Sequence, residues 1–255
     1  MPNPDSSMAW VKSFYEKQHL WSNVYAGDIE TWHRDKAKTI LLPDRKFPYR
    51  ILELGCGGGQ MAVSLAELGH DIVAIDINSD AILNARRLAA AQPNIRISLI
   101  EGDFYSFNPE GLFDVICCFD GFGIGTDEAQ QRLLHRVSSW LRTEGRAYIE
   151  IYTPWYWANV AGTVVEWPDA SRRYDFDNAG SRLLDMWWKT GDPDTAVTQS
   201  LRCYSPKDLT VLLDGVGLRL IALLPGDSYN HETQTYHPIA PLEEAMRYIA
   251  ILGSC

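Results

Sequence analysis

The sequence predicts an α/β fold around a doubly wound, mostly parallel sheet, and three observations carry that prediction. From residue 50 onward, short apolar runs alternate with segments whose apolar residues recur at helical spacing. The runs are apolar on both faces, as strands covered by helices on both sides must be. The first run ends in a glycine-dense turn that leads directly into a helical pattern. With 255 residues, the chain can bury a sizeable core without disulfide or metal staples.

Residues 1–47 are expected to form a helical lid. Trp10, Phe14, Trp21, Tyr25 and Trp32 suggest its apolar face, with Tyr15, His19 and His33 in reach of a pocket. Residues 1–20 lack the continuous apolar stretch of a signal peptide. No run approaches the ~18 apolar residues that span a bilayer. The core is expected over 48–153, with strands at 50–54, 71–75, 96–100, 113–119 and 146–152. Between them, 60–68 places Met61, Leu65 and Leu68 on one helical face and stops at Gly69. The next helix, 80–91, is opened by Asn78 or Ser79 as cap. The helix at 128–141 has Thr126 as cap, with Asp127 and Glu128 in its first turn.

After Thr153 the regular alternation stops for about 50 residues, longer than structureless loops usually run. The segment 154–204 is expected to be an inserted antiparallel cover: strands at 173–177 and 182–188 flank the turn Asn178-Ala179-Gly180-Ser181, and 195–204 supplies a third. Ser205-Pro206-Lys207-Asp208 then opens a helix with a hydroxyl cap, a proline and an acid three residues after the cap. Residues 205–255 complete the core sheet.

Composition narrows the function. The net charge of −10 disfavours a nucleic-acid partner, which needs a basic stripe to displace counterions. The cysteines are five, two adjacent, with no CxxC, so neither a disulfide framework nor a zinc site is indicated and a reducing cytoplasm is expected. No HxxxH or clustered acid set suggests a metal. Five of the nine tryptophans fall between residues 155 and 188, which singles out the insertion. The sequence carries no signal for an oligomeric state.

Open α/β sheets bind ligands beyond the carboxyl ends of their strands. There, Ile51-Leu52-Glu53-Leu54 runs into Gly55-Cys56-Gly57-Gly58-Gly59. Glycines supply positive φ for a tight turn and let a ligand approach the backbone. The loop lacks the GK[ST] ending of a P-loop, and Gln60 stands where a dinucleotide fingerprint has its third small residue. Glu53, Gly55, Gly57 and Gly59 instead fill acid-x-Gly-x-Gly-x-Gly. With Val73-Ala74-Ile75-Asp76, Glu101-Gly102-Asp103-Phe104 and Phe113-Asp114-Val115-Ile116 following in order, the chain resembles the class I S-adenosylmethionine-dependent methyltransferases of the small-molecule type.

The resemblance covers about 48–153 and implies a Rossmann-like sheet of seven strands, S-adenosyl-L-methionine as cofactor, S-adenosyl-L-homocysteine as product, and no metal. It carries over cofactor contacts to Glu53, Gly55, Cys56 and Gly57 in the loop. Asp76, whose carboxylate offers two acceptors to a ribose diol, and Ile77 follow the second strand. Asp103 faces the adenine amino group and Phe104 the ring, with Phe119 at the end of the fourth strand. Thr143 and Glu144 depart from the family's helix-to-strand turn, without bearing on the cofactor.

Substrate contacts are expected from the lid, Tyr15 and Tyr25, from Phe122, and from the insertion, Trp155, Trp157, Trp187 and Tyr204. An aromatic cover suits a flat or cationic, nitrogen-bearing small molecule such as an indole-like metabolite. Phe119-Asp120-Gly121-Phe122 lacks the [DN]PP[FY] run of nucleobase-amino methyltransferases. Candidate proton acceptors are Asp120, Tyr152 and His19, beside Asp127, His231 and His237, and none stands out. A protein or peptide methyltransferase and a non-catalytic cofactor-binding module remain alternatives; a nicotinamide oxidoreductase is the weaker third.

Overall fold

The structure, a computed structural model, describes residues 10–40 and 48–255. The parts of the expected lid and leader stretch at 1–9 and 41–47 lie outside the described residues. Two helices open the chain, α1 (Val11–Ser22) and α2 (Thr31–Lys38). Then β1 (Arg50–Leu54), α3 (Gln60–Glu67), β2 (Asp71–Asp76), α4 (Ser79–Ala90), β3 (Arg96–Glu101), β4 (Phe113–Cys118), α5 (Asp127–Trp140) and β5 (Leu141–Tyr152) alternate as the patterning predicts. The caps are those the sequence offers. Asn78 Oδ1 accepts from the Asp80 and Ala81 amides ahead of α4, and Thr126 Oγ1 from Ala129 ahead of α5.

One core boundary differs by more than a residue. The strand expected from 146 begins at Leu141, because the chain leaves α5 already extended and bulges before its register resumes at Val115↔Arg146. A short helix α6 (Pro154–Asn159) leads into β6 (Val164–Glu166), β7 (Ala170–Asp177), β8 (Arg182–Lys189) and β9 (Asp192–Arg202), a four-stranded antiparallel sheet. The insertion is thus a strand richer than expected. Its inner face packs on α1, where Phe14 meets Ala170 and Trp187. Across β7 and β8, Arg172 forms a bidentate pair with buried Asp185 at 2.6 and 2.7 Å.

Ser205 and Asp208 close the expected capping box on α7 (Pro206–Leu212), followed by β10 (Leu218–Pro225). A hairpin that the sequence did not announce, β11 (Ser228–Asn230) with β12 (Thr235–His237), precedes β13 (Arg247–Ser254). Its three-residue polar strands carry no hydrophobic period. The main sheet has the order β10-β13-β5-β4-β1-β2-β3. Only β13 runs antiparallel to its neighbours, so this is the Rossmann-like, seven-stranded sheet.

Parallel register sets Leu54 beside Ile75 and Cys118, and Asp76 beside Glu101, which gathers the loops after β1, β2, β3 and β4 at one edge. The glycine loop fits there under steric constraint. Gly59 has φ +82°, and a Cβ on it would stand 2.4 Å from the Ala85 Cβ of α4. Gly59→Ala is therefore expected to lower stability by roughly 2–5 kcal/mol, from overpacking plus left-handed strain. The urea midpoint measures it; an unchanged midpoint would show that α3 and α4 are not held at this distance.

Candidate functional site

The loop after β1 is fixed by backbone geometry. Gly55 and Gly57 have φ of +71° and +51°, and the amides of Gly55 and Cys56 both donate to the Ile75 carbonyl, at 2.9 and 3.0 Å. Asp76 ends β2 with both oxygens engaged: Oδ2 accepts the Gly57 amide and Oδ1 the Asn78 amide, each at 2.8 Å. Burial raises the Asp76 pKa, and these backbone donors, Asn78 first, pull against it.

Beside this loop lies a cleft of about 710 Å³ whose walls include Gly55, Gly57, Asp76, Ile77, Asp103, Phe104, Phe119 and Asp120. A second cavity of about 1050 Å³ adjoins it beneath α2 and contains Glu53 and Cys56 in its walls. The two share Tyr25, Gly55, Gly57, Phe119 and Asp120. Each of the nine positions expected to touch the cofactor lines one or both of these two adjoining cavities.

The N-terminal segment straps this space. The Tyr25 carbonyl sits so close to Gly58 that a Cβ there would come within 2.1 Å. The side-chain amides of Gln60 and Asn84 both donate to the Gly27 carbonyl, and Arg87 pairs with Asp28 at 2.7 Å. Tyr15 lines the cleft, and its hydroxyl accepts the Gln199 amide of β9 at 2.6 Å.

Glu53 is 2% exposed, and its Oε2 has no hydrogen-bond partner among the described residues. Burial pushes its pKa up to about 8, against a smaller opposite pull from Lys36. In the folded chain Glu53 keeps its proton up to about pH 8; unfolded, it loses it near 4.5. Between these values the unfolded state binds fewer protons, so stability falls as pH rises, by about 1.4 kcal/mol per unit. Glu53→Gln is expected to remove that contribution. Urea midpoints taken from mildly acidic to mildly alkaline pH check it, and identical slopes for both proteins would contradict it.

Asp120 follows β4 with φ +63°, a left-handed conformation that aspartate tolerates better than most side chains. The Tyr152 hydroxyl donates to Asp120 Oδ1. Asp120 opens onto the cavities but is walled by protein; burial raises its pKa, and the Tyr152 bond opposes that rise. Beneath it, buried Glu150 accepts from Lys36 at 2.9 Å, pairs with Arg247 at 3.5 Å and takes the Asp120 amide. Burial alone would raise the Glu150 pKa; Arg247 and Lys36 outweigh it and hold Glu150 below the usual carboxylate range. Arg247 also forms a bidentate pair with Asp227, both bonds at 2.8 Å.

Several expected roles need correction. His19 lines neither cavity; its Nδ1 accepts the Tyr25 amide at 3.4 Å, which supports the strap. Of the seven expected substrate contacts, Tyr15 and Tyr25 reach the cavities. Phe122 and Tyr204 are 1% exposed and pack on each other, with the Tyr204 hydroxyl donating to Asp127. Trp155 and Trp157 donate to the carbonyls of Leu242 and Met246, and Trp187 donates to Asp185. The physical reason is common to all five. A small cover sheet must build a core of its own, and these aromatics supply it or tie it to the main sheet.

Lys36, Glu150 and Arg247 were not singled out from sequence. Glu150 left a signal, a lone acid inside Tyr148-Ile149-Glu150-Ile151; its partners, 114 and 97 residues away, left none. Among the described residues, no group of three or more His, Cys, Asp or Glu is placed to hold a metal ion. No helix there is long and apolar enough to cross a membrane.

Comparison with known proteins places this geometry. Residues 51–145 match the family described as "Methyltransferase domain". The ubiquinone biosynthesis O-methyltransferase of Albidiferax ferrireducens is 36% identical over 117 residues, covering 44% of this chain and 46% of that protein. The chain spans about half the length of the curated relatives it matches. Among solved structures, the CcbJ methyltransferase from Streptomyces caelestis aligns with a TM-score of 0.70 at 18% identity, over 94% of this chain and 96% of that one. The glycopeptide N-methyltransferase MtfA complexed with (S)-adenosyl-L-methionine aligns with a TM-score of 0.57 at 16% identity, over 87% of each chain. The family match, the strand order and the glycine loop agree: residues 51–145 are a class I S-adenosylmethionine-dependent methyltransferase domain.

Proposed function

We propose that the protein is an S-adenosyl-L-methionine-dependent methyltransferase acting by in-line displacement on a small, nitrogen-bearing aromatic acceptor, with S-adenosyl-L-homocysteine as product. The observation that carries this reading is the pair of cavities that meet at Gly55 and Gly57 of the glycine loop, one lined by Asp76, Asp103 and Phe104 and the other by Glu53. The residues present suit the cofactor. Glycine at 55 and 57 leaves the loop backbone open to a ligand, and the buried Glu53 carboxyl has an oxygen to offer an ammonium group.

Bound S-adenosyl-L-methionine supplies an electrophilic sulfonium methyl; the chain supplies position and proton transfer. When S-adenosyl-L-methionine is bound, Asp76 would take the ribose diol, Phe104 and Ile77 would pack on the adenine and Asp103 would receive its amino group. Tyr15 and Tyr25 close the site from the strap and exclude water. Asp120 receives the proton that leaves the acceptor, and Tyr152 orients its carboxylate. Holding the acceptor collinear with the departing sulfur accounts for much of the rate. The net charge of −10 favours acceptors other than nucleic acid, and the free cysteines accord with a cytoplasmic location.

The test is transfer of a labelled methyl group from the cofactor to a panel of small metabolites and a panel of proteins. Label in an aromatic nitrogen compound is the expected result. Label in protein alone would make the chain a protein or peptide methyltransferase, and no transfer despite tight cofactor binding would make it a binding module.

A further inference from the structure

Resting on the reading of Asp120 as proton acceptor, we infer that Glu150 is a positioning residue for the transfer, anchoring the Asp120 backbone while two cations from distant parts of the chain hold it in place. Glu150 and Tyr152 lie two residues apart on β5, so their side chains leave the same face of the strand. Both reach Asp120, which follows the neighbouring strand β4. The Tyr152 hydroxyl donates to the Asp120 carboxylate, and the Glu150 carboxylate accepts the Asp120 amide. Asp120 is thereby held at both ends in its left-handed conformation, with its side chain in the wall shared by the two cavities.

Stability is a weak reason for a carboxylate at this position. Glu150 is buried between Ile149 and Ile151, with Ile249 opposite it in β13. Apolar side chains commonly replace a buried ion triad at no loss of stability. This triad joins three elements: Lys36 of α2 bonds Glu150 at 2.9 Å, and Arg247 of β13 pairs with it at 3.5 Å. Lys36 links the anchor of Asp120 to the strap, and Arg247 links it through Asp227 to the foot of the β11–β12 hairpin. The groups that face Asp120 are Tyr152 and Glu150 from β5, Arg247 from β13 and Arg172 from β7. Tyr15 and Tyr25 face it from the strap and Cys118 from the end of β4. Burial is the main cause that raises the Asp120 pKa, and the Tyr152 bond opposes it; the Glu150 charge adds to the rise, while Arg247 and Arg172 pull against it.

NMR of the full chain, isotope-labelled at the aspartate side-chain carboxyls, tests this without need of an acceptor. The resonance missing from Asp120→Asn identifies Asp120, and its pH titration is followed in each variant. Glu150→Gln keeps an oxygen for the Asp120 amide but removes the charge, so the proton affinity of Asp120 should fall by about tenfold. A change in packing alone gives no reason for that direction, which is opposite to the one expected of Tyr152→Phe. Lys36→Met removes one of the two neutralising cations from a partly exposed position, and should move the Asp120 midpoint to higher pH. An Asp120 midpoint unmoved in Lys36→Met, or in folded Glu150→Gln, would overturn the assignment. Full methyl transfer by Asp120→Asn would instead remove the proton-acceptor role beneath it, and the role of Glu150 with it.

Discussion

Asp120→Asn is expected to lower kcat by about 10²–10⁴-fold while S-adenosyl-L-homocysteine affinity changes little. The substitution isolates chemistry from folding. Asparagine, like aspartate, tolerates the left-handed φ of +63° at this position, and its amide still meets the Tyr152 hydroxyl. What it lacks is a carboxylate to take a proton. Because burial holds the Asp120 pKa above the usual carboxylate range, the acid limb of the rate profile should lie above that range too. The Tyr152 bond pulls that pKa down, so Tyr152→Phe should move the limb to still higher pH. A full rate in Asp120→Asn, with an unshifted profile in Tyr152→Phe, would mean that positioning alone drives transfer and that the acceptor loses its proton to solvent.

Asp76→Ala is expected to weaken cofactor binding by about 10²–10⁴-fold, the equivalent of losing two hydrogen bonds to a charged acceptor. Its carboxylate does two jobs at once. It fixes the Gly57 and Asn78 amides, which shapes the glycine loop, and it faces the cleft. Asp76→Asn keeps one acceptor oxygen and the side-chain volume, so it should lose only about tenfold. Calorimetry on both variants separates the roles. Equal losses would assign the effect to the carboxylate's charge rather than to the number of its acceptors.

The core fold was legible because its signals are local. Ile51-Leu52-Glu53-Leu54 followed by spaced glycines reads as strand, turn and helix within ten residues, and Asn78, Thr126 and Ser205 announce helix starts within one turn. The insertion's antiparallel character was legible for the same reason, from a four-residue turn between two alternating segments. Its aromatics were not. Trp187 faces inward only because β8 pairs with β7 and β9 in a particular register, and a shift of one residue would have exposed it.

The charge network was the least visible feature. Glu150, Lys36 and Arg247 meet across three separate elements, and only the folded sheet brings them together. The positions expected to hold the cofactor sit at or just after the ends of β1 to β4, which the parallel topology brings to one edge of the sheet. Acceptor positions depend on which cavity the lid and cover leave open, and that emerges only from packing.

Titrating S-adenosyl-L-homocysteine and NADH into the wild-type protein in a calorimeter tests the central claim most directly. The account predicts saturable binding of S-adenosyl-L-homocysteine at one site per chain and no heat from NADH. Binding of NADH without binding of S-adenosyl-L-homocysteine would contradict it.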